Sequence, residues 1–303
     1  EVVSSTENTF PTGQATKRID FVVTLKTPPT TVVKSNVIYN LDGVNVAITS
    51  DHYPLYCDFK KPTGLEEYPK AEGDLRIGNY FLTYCKGTDG VIDYDRTGRI
   101  IAKMNADIVC LQGLDKETER SEGIDQLNVL AQKANMYDYF AKAIDYKGGE
   151  FGVGILTKEE PVSVDRYQMA GKSEMRAAMV VEYEKFVVAS TNFDTDMAKR
   201  IEALQTLETK LSAYNKPAFL LGYFNEGDLE SEFFQMVKSN WNLLSADKST
   251  EVSGKKRRLD FIVSLKSHNV NVTQADVIES LSGVDVTVAS THYPLFCDFS
   301  GLK

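Results

Sequence analysis

Three hundred and three residues, 42% of them hydrophobic and 25% charged, suffice for one large globular domain or two smaller ones. The net charge of −9 opposes nonspecific binding to a polyanion, although a locally basic cleft or held metal ions still suit a nuclease. No run of ~18 apolar residues is present to span a membrane, and no signal peptide is visible at a start that reads as the interior of a domain. In chain order, strand patterns come first, at Arg18–Leu25, Val44–Thr49 and Leu55–Phe59. A polar stretch carrying Pro and Gly, residues 61–73, reads as a linker.

Beyond it, strands and helices alternate. Leu75–Leu82 predicts a strand, Asp95–Met104 a helix with Ile100 and Ile101 inward, and Ala106–Leu111 a buried strand. Ser121 is placed to cap a helix whose Ile124, Leu127, Leu130 and Ala131 share a face. Strands follow at Phe151–Thr157, Ala177–Tyr183 and Phe186–Thr191, then an amphipathic helix, Met197–Tyr214. Pro217–Leu221 predicts a strand and Ser231–Asn240 a helix, and Leu259–Leu265, Val284–Ala289 and Leu295–Phe299 close the chain as strands. The pattern is α+β: two mixed sheets packed together with helices outside. Ile77, Val109, Leu111, Ile155, Val188, Leu220, Ile262 and Val288 are expected in its interior. The four cysteines, Cys57, Cys85, Cys110 and Cys297, lack metal spacing and read as buried free thiols.

The last part of the chain is written twice. Lys17–Phe59 aligns without a gap with Arg257–Phe299 at an offset of 240, and 21 of those 43 positions are identical. The period far exceeds the ~20–50 residues of a solenoid unit and has the length of a domain. Residues 74–303 therefore read as a complete domain and residues 1–60 as the closing fragment of a first one. One difference bears on chemistry: Asp51-His52 in the first copy is Thr291-His292 in the second.

Read in order, segments of the second domain resemble the endonuclease/exonuclease/phosphatase superfamily, the DNase-I-like proteins. They are Leu75–Phe81, Ala106–Gly113, Gly148–Gly152, Val188–Asn192, Gly222–Asn225, Arg258–Ile262 and Ser290–Pro294. The resemblance covers about 71–303 and implies a four-layer α/β/β/α sandwich. It also implies phosphoester hydrolysis assisted by a divalent cation, usually Mg²⁺, which polarises the phosphoryl group. In the family an Asp–His pair and a further Asp activate water, while an Asn and a second His bind phosphate. Similarity to bacterial members favours a secreted or periplasmic setting.

Carried over position by position, most of that machinery is replaced. The family's first-strand Asn falls on Phe81, its metal-binding Glu on Gly113 and one His on Asn192. The Asp of its Gly-Asp-Phe-Asn motif falls on Tyr223, and the Asp of its Ser-Asp-His motif on Thr291. A further polar position is Val153. Asn225, Asp260 and His292 survive as vestigial catalytic positions, as do Asp51 and His52 in the N-terminal copy. Glycine offers a cation nothing, a phenol titrates near ~10, and threonine cannot stabilise an imidazolium. Losing one member of a coupled unit often costs as much as losing all.

The expectation is a pseudoenzyme acting as scaffold or binding module in a tandem-domain protein, with no metal held and Mg²⁺ relevant only to residual activity. The alternative is an active metal-dependent phosphodiesterase or phosphatase, with a site rebuilt from Glu226, Asp228, Asp260 and His292 or with activity in the missing first domain. Residues 1–60 expose strands that need a partner, either their own missing domain half or another chain. A phosphate-containing ligand is among the partners the resemblance admits. The basic run Lys255–Arg258 reads as a solvated turn.

Overall fold

The computed structural model describes residues 2–24, 32–59 and 68–303. The chain divides into two compact units, Glu1–Glu66 and Glu67–Lys303. Of the expected linker, residues 61–67 lie outside the described residues. Residues 68–73 pack on the second unit: Tyr68 meets Phe296 edge-on at 5.7 Å and Lys70 reaches Asp107 at 2.7 Å.

The first unit holds β1 (Val32–Val37), the single-turn helix α1 (Val46–Thr49) and β2 (Leu55–Phe59). β1 and β2 form an antiparallel two-stranded sheet. The strand expected at Arg18–Leu25 is not formed over its described residues 18–24, which make one isolated bridge, Val2 to Val23. Residue 25 lies outside the described residues.

The second unit begins with β3 (Leu75–Phe81), α2 (Tyr94–Lys103), β4 (Ile108–Lys116), α3 (Gln126–Ala134), β5 (Tyr137–Tyr146) and β6 (Gly149–Thr157). There follow β7 (Ser163–Met169), β8 (Arg176–Glu182), β9 (Val187–Asn192), α4 (Met197–Ser212), β10 (Ala218–Tyr223) and α5 (Glu232–Asn240). It closes with β11 (Trp241–Leu243), β12 (Asp260–Leu265), β13 (Asn271–Val277), α6 (Val286–Ala289) and β14 (Leu295–Ser300). The strands make two mixed six-stranded sheets, ordered β13-β14-β3-β4-β6-β5 and β11-β12-β10-β9-β8-β7.

Alternation along the strands sorts side chains into layers. Ile77, Ile108, Cys110 and Ile155 of one sheet meet Met179, Val188, Phe219 and Ile262 of the other in the central core. On the outer faces, Tyr80, Val109 and Leu111 pack under α2 and α3, while Val180, Leu220 and Phe261 pack under α4 and α5. The result is the α/β/β/α sandwich expected. Seven of the eight predicted core residues are buried; Val288 is half-buried.

Three expectations need correction. Val284–Ala289 and Val44–Thr49 are not strands. A turn with Gly283 and Gly43 at φ +74° closes on the bridges Leu281–Val284 and Leu41–Val44, and α6 and α1 follow. A left-handed glycine reverses the chain at no steric cost, so the apolar alternation never extends. Ser121 does not open α3: it shares a capping box with Thr118 in a short 3₁₀ turn, and the cap is Asp125, which accepts from Asn128 N. The four cysteines are free; Cys85, Cys110 and Cys297 are buried and Cys57 is half-buried. Among the described residues no helix is long and apolar enough to cross a membrane.

Candidate functional site

Strand ends from both sheets of the second unit meet at one edge of the sandwich. β3 delivers Phe81 there and β10 delivers Tyr223. β12 starts with Asp260, and the turn before β14 supplies His292. The antiparallel pairing of β10 with β12 sets Tyr223 opposite Asp260, and the parallel pairing with β9 sets it beside Asn192.

The rings of Phe81, Tyr223 and His292 form a closed triangle, with centroids 4.7, 4.7 and 4.8 Å apart. Such tilted and edge-on contacts suit aromatic quadrupoles. Behind them His292 Nδ1 lies 2.6 Å from Asp260 Oδ2, with both residues buried. Ser290 fixes the turn: its hydroxyl donates to the Phe81 carbonyl at 2.6 Å and accepts from His292 N at 3.2 Å. Burial, with the Asp260 carboxylate nearby, pushes the Tyr223 phenol above its ordinary value. It therefore stays protonated at neutral pH and accepts no proton from water.

Gly113 sits where β4 bulges against β6, with φ +73°. A Cβ there would stand 3.4 Å from both the Phe81 ring and Thr83 N. Thr83, Tyr84 and Cys85 follow β3 with three successive positive φ values, a costly conformation for residues with side chains. Thr83 Oγ1 meets Thr291 Oγ1 at 3.0 Å, so Thr291 takes a neutral hydroxyl contact. Between the sheets Gln112 Nε2 donates to Asn79 Oδ1 at 2.8 Å and to Ser190 Oγ at 3.2 Å. Val153, also expected near the site, is buried in the central core.

Phe81, Tyr223, Asp260 and His292 are thus brought into one cluster, with Gly113 and Thr291 at its border and Asn192 beside Tyr223. Asn225 is committed elsewhere: at φ +55° its Nδ2 donates to the Phe193 carbonyl at 2.7 Å, holding the loop after β10. Glu226 is likewise engaged, by Arg200 at 2.9 Å and by the amides of Gly227 and Asp228. In the basic run, Arg257 pairs with Glu251 at 2.7 Å and Arg258 with Asp247 at 3.3 Å. Sequence reasoning missed Asn79, Ser190 and the left-handed turn; no local pattern marks them.

The donor set present does not fit the divalent cation that the resemblance implies. Gly113 has no ligand, Tyr223 is a neutral phenol, and Asp260 has one oxygen taken by His292, its buried Oδ1 being the single oxygen of the pair without a partner among the described residues. Among the described residues no three His, Cys, Asp or Glu side chains converge as a metal site requires.

The first unit carries a smaller version of the same pair. His52 Nδ1 lies 2.8 Å from Asp20 Oδ2, and Thr9 donates its hydroxyl to that oxygen at 2.5 Å. This pair is about a third exposed, and Asp51 beside it is exposed.

No family model matches the chain, and no curated protein matches it by sequence. Solved structures do match. An endonuclease/exonuclease/phosphatase from Beutenbergia cavernae DSM 12333 superposes with a TM-score of 0.62 at 18% identity, over 76% of this chain and 73% of that one. The mannosyl-6-phosphatase of Bacteroides thetaiotaomicron VPI-5482 gives 0.59 at 15% identity, over 74% and 99%. The human nocturnin catalytic domain with bound sulfate gives 0.57 at 18%, over 75% and 93%. The chain therefore carries the fold of the endonuclease/exonuclease/phosphatase structures.

Proposed function

We propose that the second unit keeps a phosphoesterase fold without its metal-dependent chemistry and serves as a scaffold or binding module. The observation that supports this reading most is the ring triangle of Phe81, Tyr223 and His292. Its rings touch one another, and the His292 ring is tied to Asp260, so the two surviving polar groups of the cluster face each other and aromatic carbon. Hydrolysis needs a Lewis acid or a strong donor set beside the phosphoryl oxygen and a base beside the water. Here the surviving His292 faces Asp260 on one side and aromatic carbon on the other.

The test is turnover of a generic activated phosphodiester, bis(p-nitrophenyl) phosphate, with Mg²⁺ or Mn²⁺. The full chain should hydrolyse it no faster than buffer, and His292→Ala should not change the rate. Metal-dependent turnover that disappears in both His292→Ala and Asp260→Asn would overturn the reading and establish a working hydrolase. Calorimetric titration with the same cations should show no saturable heat.

A further inference from the structure

Several contacts within the closing segment of the second unit recur in the first. β1 and β2 slip register between Val32 and Lys34, as β13 and β14 do between Val272 and Gln274. Ile38 N donates to the Pro54 carbonyl at 2.8 Å, and Ile278 N to that of Pro294 at 2.8 Å. Arg18 donates to Ser4 and covers Phe21 at 4.8 Å; Arg258 donates to Ser245 and covers Phe261 at 4.7 Å. The amides of Thr9 and Thr250 bond the carbonyls of Lys17 and Arg257. The likeness therefore runs back to the start of the described chain, past the alignable sequence, across one inserted residue between Thr9 and Lys17.

What differs is cover. Phe261 and Phe299 are fully buried, whereas their counterparts Phe21 and Phe59 are 51% and 42% exposed. In the second unit β12 lies against β10, and β14 lies against β3. The β3 contact is charged: Arg76 grips Asp298 with two nitrogens at 2.7 Å, both side chains buried, and stacks on Phe296 at 3.9 Å. The counterparts on β2 are Asp58 and Tyr56. The Asp58 side chain is exposed and makes no hydrogen bond or close ion pair among the described residues; its ladder neighbour Lys34, which feels its charge, lies over Tyr56.

We infer that residues 2–59 are the closing segment of a domain of this same fold, and that their exposed face takes the amino-terminal body of such a domain. The partner is a polypeptide whose first strand runs antiparallel to β2 with an arginine opposite Asp58. Two features of the face select it. The edge of β2 away from β1, unpaired among the described residues, offers a ladder, and Asp58 beside an aromatic ring asks for a guanidinium, which alone combines a bidentate grip with stacking. A second copy of this chain does not match as well, because its own β3 is already paired with β14.

The probe is a synthetic peptide of residues 74–82, which carries the β3 strand, added to the full chain. Hydrogen exchange is followed at the β2 amides that face away from β1. Peptide at about 1 mM should slow their exchange about ten-fold, with the β14 amides unchanged. Replacing the peptide arginine by aspartate should abolish the effect, and the protein variant Asp58→Arg should restore it with that altered peptide. Asp58→Asn serves as a milder variant should the charge reversal disturb folding; it should weaken the unmodified peptide. Three results overturn the inference: no added protection, protection indifferent to both charges, or protection that grows with the chain's own concentration and no peptide.

Discussion

At the scale of single residues, Gly113 decides more than any other position in the site. Its bulge at φ +73° is cheap only for glycine, while a Cβ there would meet the Phe81 ring at an ordinary contact distance of 3.4 Å. A carboxylate at this position would have to adopt the left-handed backbone beside that ring. We therefore expect Gly113→Ala to cost about 1–2 kcal/mol in denaturant unfolding from backbone strain. Gly113→Glu should cost at least as much and should not create saturable Mg²⁺ binding, because Tyr223 and Asp260 complete no coordination sphere. A gain in cation affinity from Gly113→Glu alone would show that the ring cluster opens readily.

At the scale of elements, β3 and β14 illustrate how a sheet interior is fastened by one charged pair. Arg76 also donates to the carbonyls of Tyr68, Pro69 and Met104, so all its fork is used. Removing one partner strands the other charge in the interior. Asp298→Ala is expected to lose about 3–5 kcal/mol, whereas the double change Arg76→Met with Asp298→Leu should recover much of it. Trp241, the chain's single tryptophan, is buried under α5 and reports unfolding of the second unit alone. A loss under about 1 kcal/mol for Asp298→Ala would mean that water reaches the arginine.

The elements also show where pattern reading works. Every interior strand of the two sheets carries an apolar run and is predicted within a few residues. In the two six-stranded sheets the strands that escape notice, β5, β7, β11 and β13, are the four edges, and β1 of the first unit escapes as well. Edge strands are half exposed and mix charges with their apolar residues, as in Asn271–Val277, so the alternation that betrays a strand is diluted. The opposite error, at Val284–Ala289, arises because a two-residue period over so short a stretch does not distinguish a strand from a turn and a single helical turn.

At the scale of the whole molecule, the two units differ in what holds them. The second has three apolar layers between four structural ones. The first has a two-stranded sheet and large exposed side chains, including Ile19, Phe21, Val23 and Ile48. Two strands alone are marginal in water. In the isolated chain the amides of β1 and β2 should thus exchange at least about a hundred-fold faster than those of β3 and β4. Equal protection in both units would mean that the first is stabilised by something other than its own sheet.

Residue order alone carried the repeat and the alternation of buried strands and helices. These are local or linear properties, carried by side-chain period and residue order. It took the folded chain to show that Phe81, Tyr223 and His292 close on one another, that Asn225 is spent on a loop, and that the likeness of the two segments extends back to the first described residues. Those facts depend on strand ends from two sheets meeting and on pairings such as Arg76 with Asp298, whose partners lie 222 positions apart. No local pattern encodes such a contact, because what selects it is the burial of both partners in the assembled sandwich.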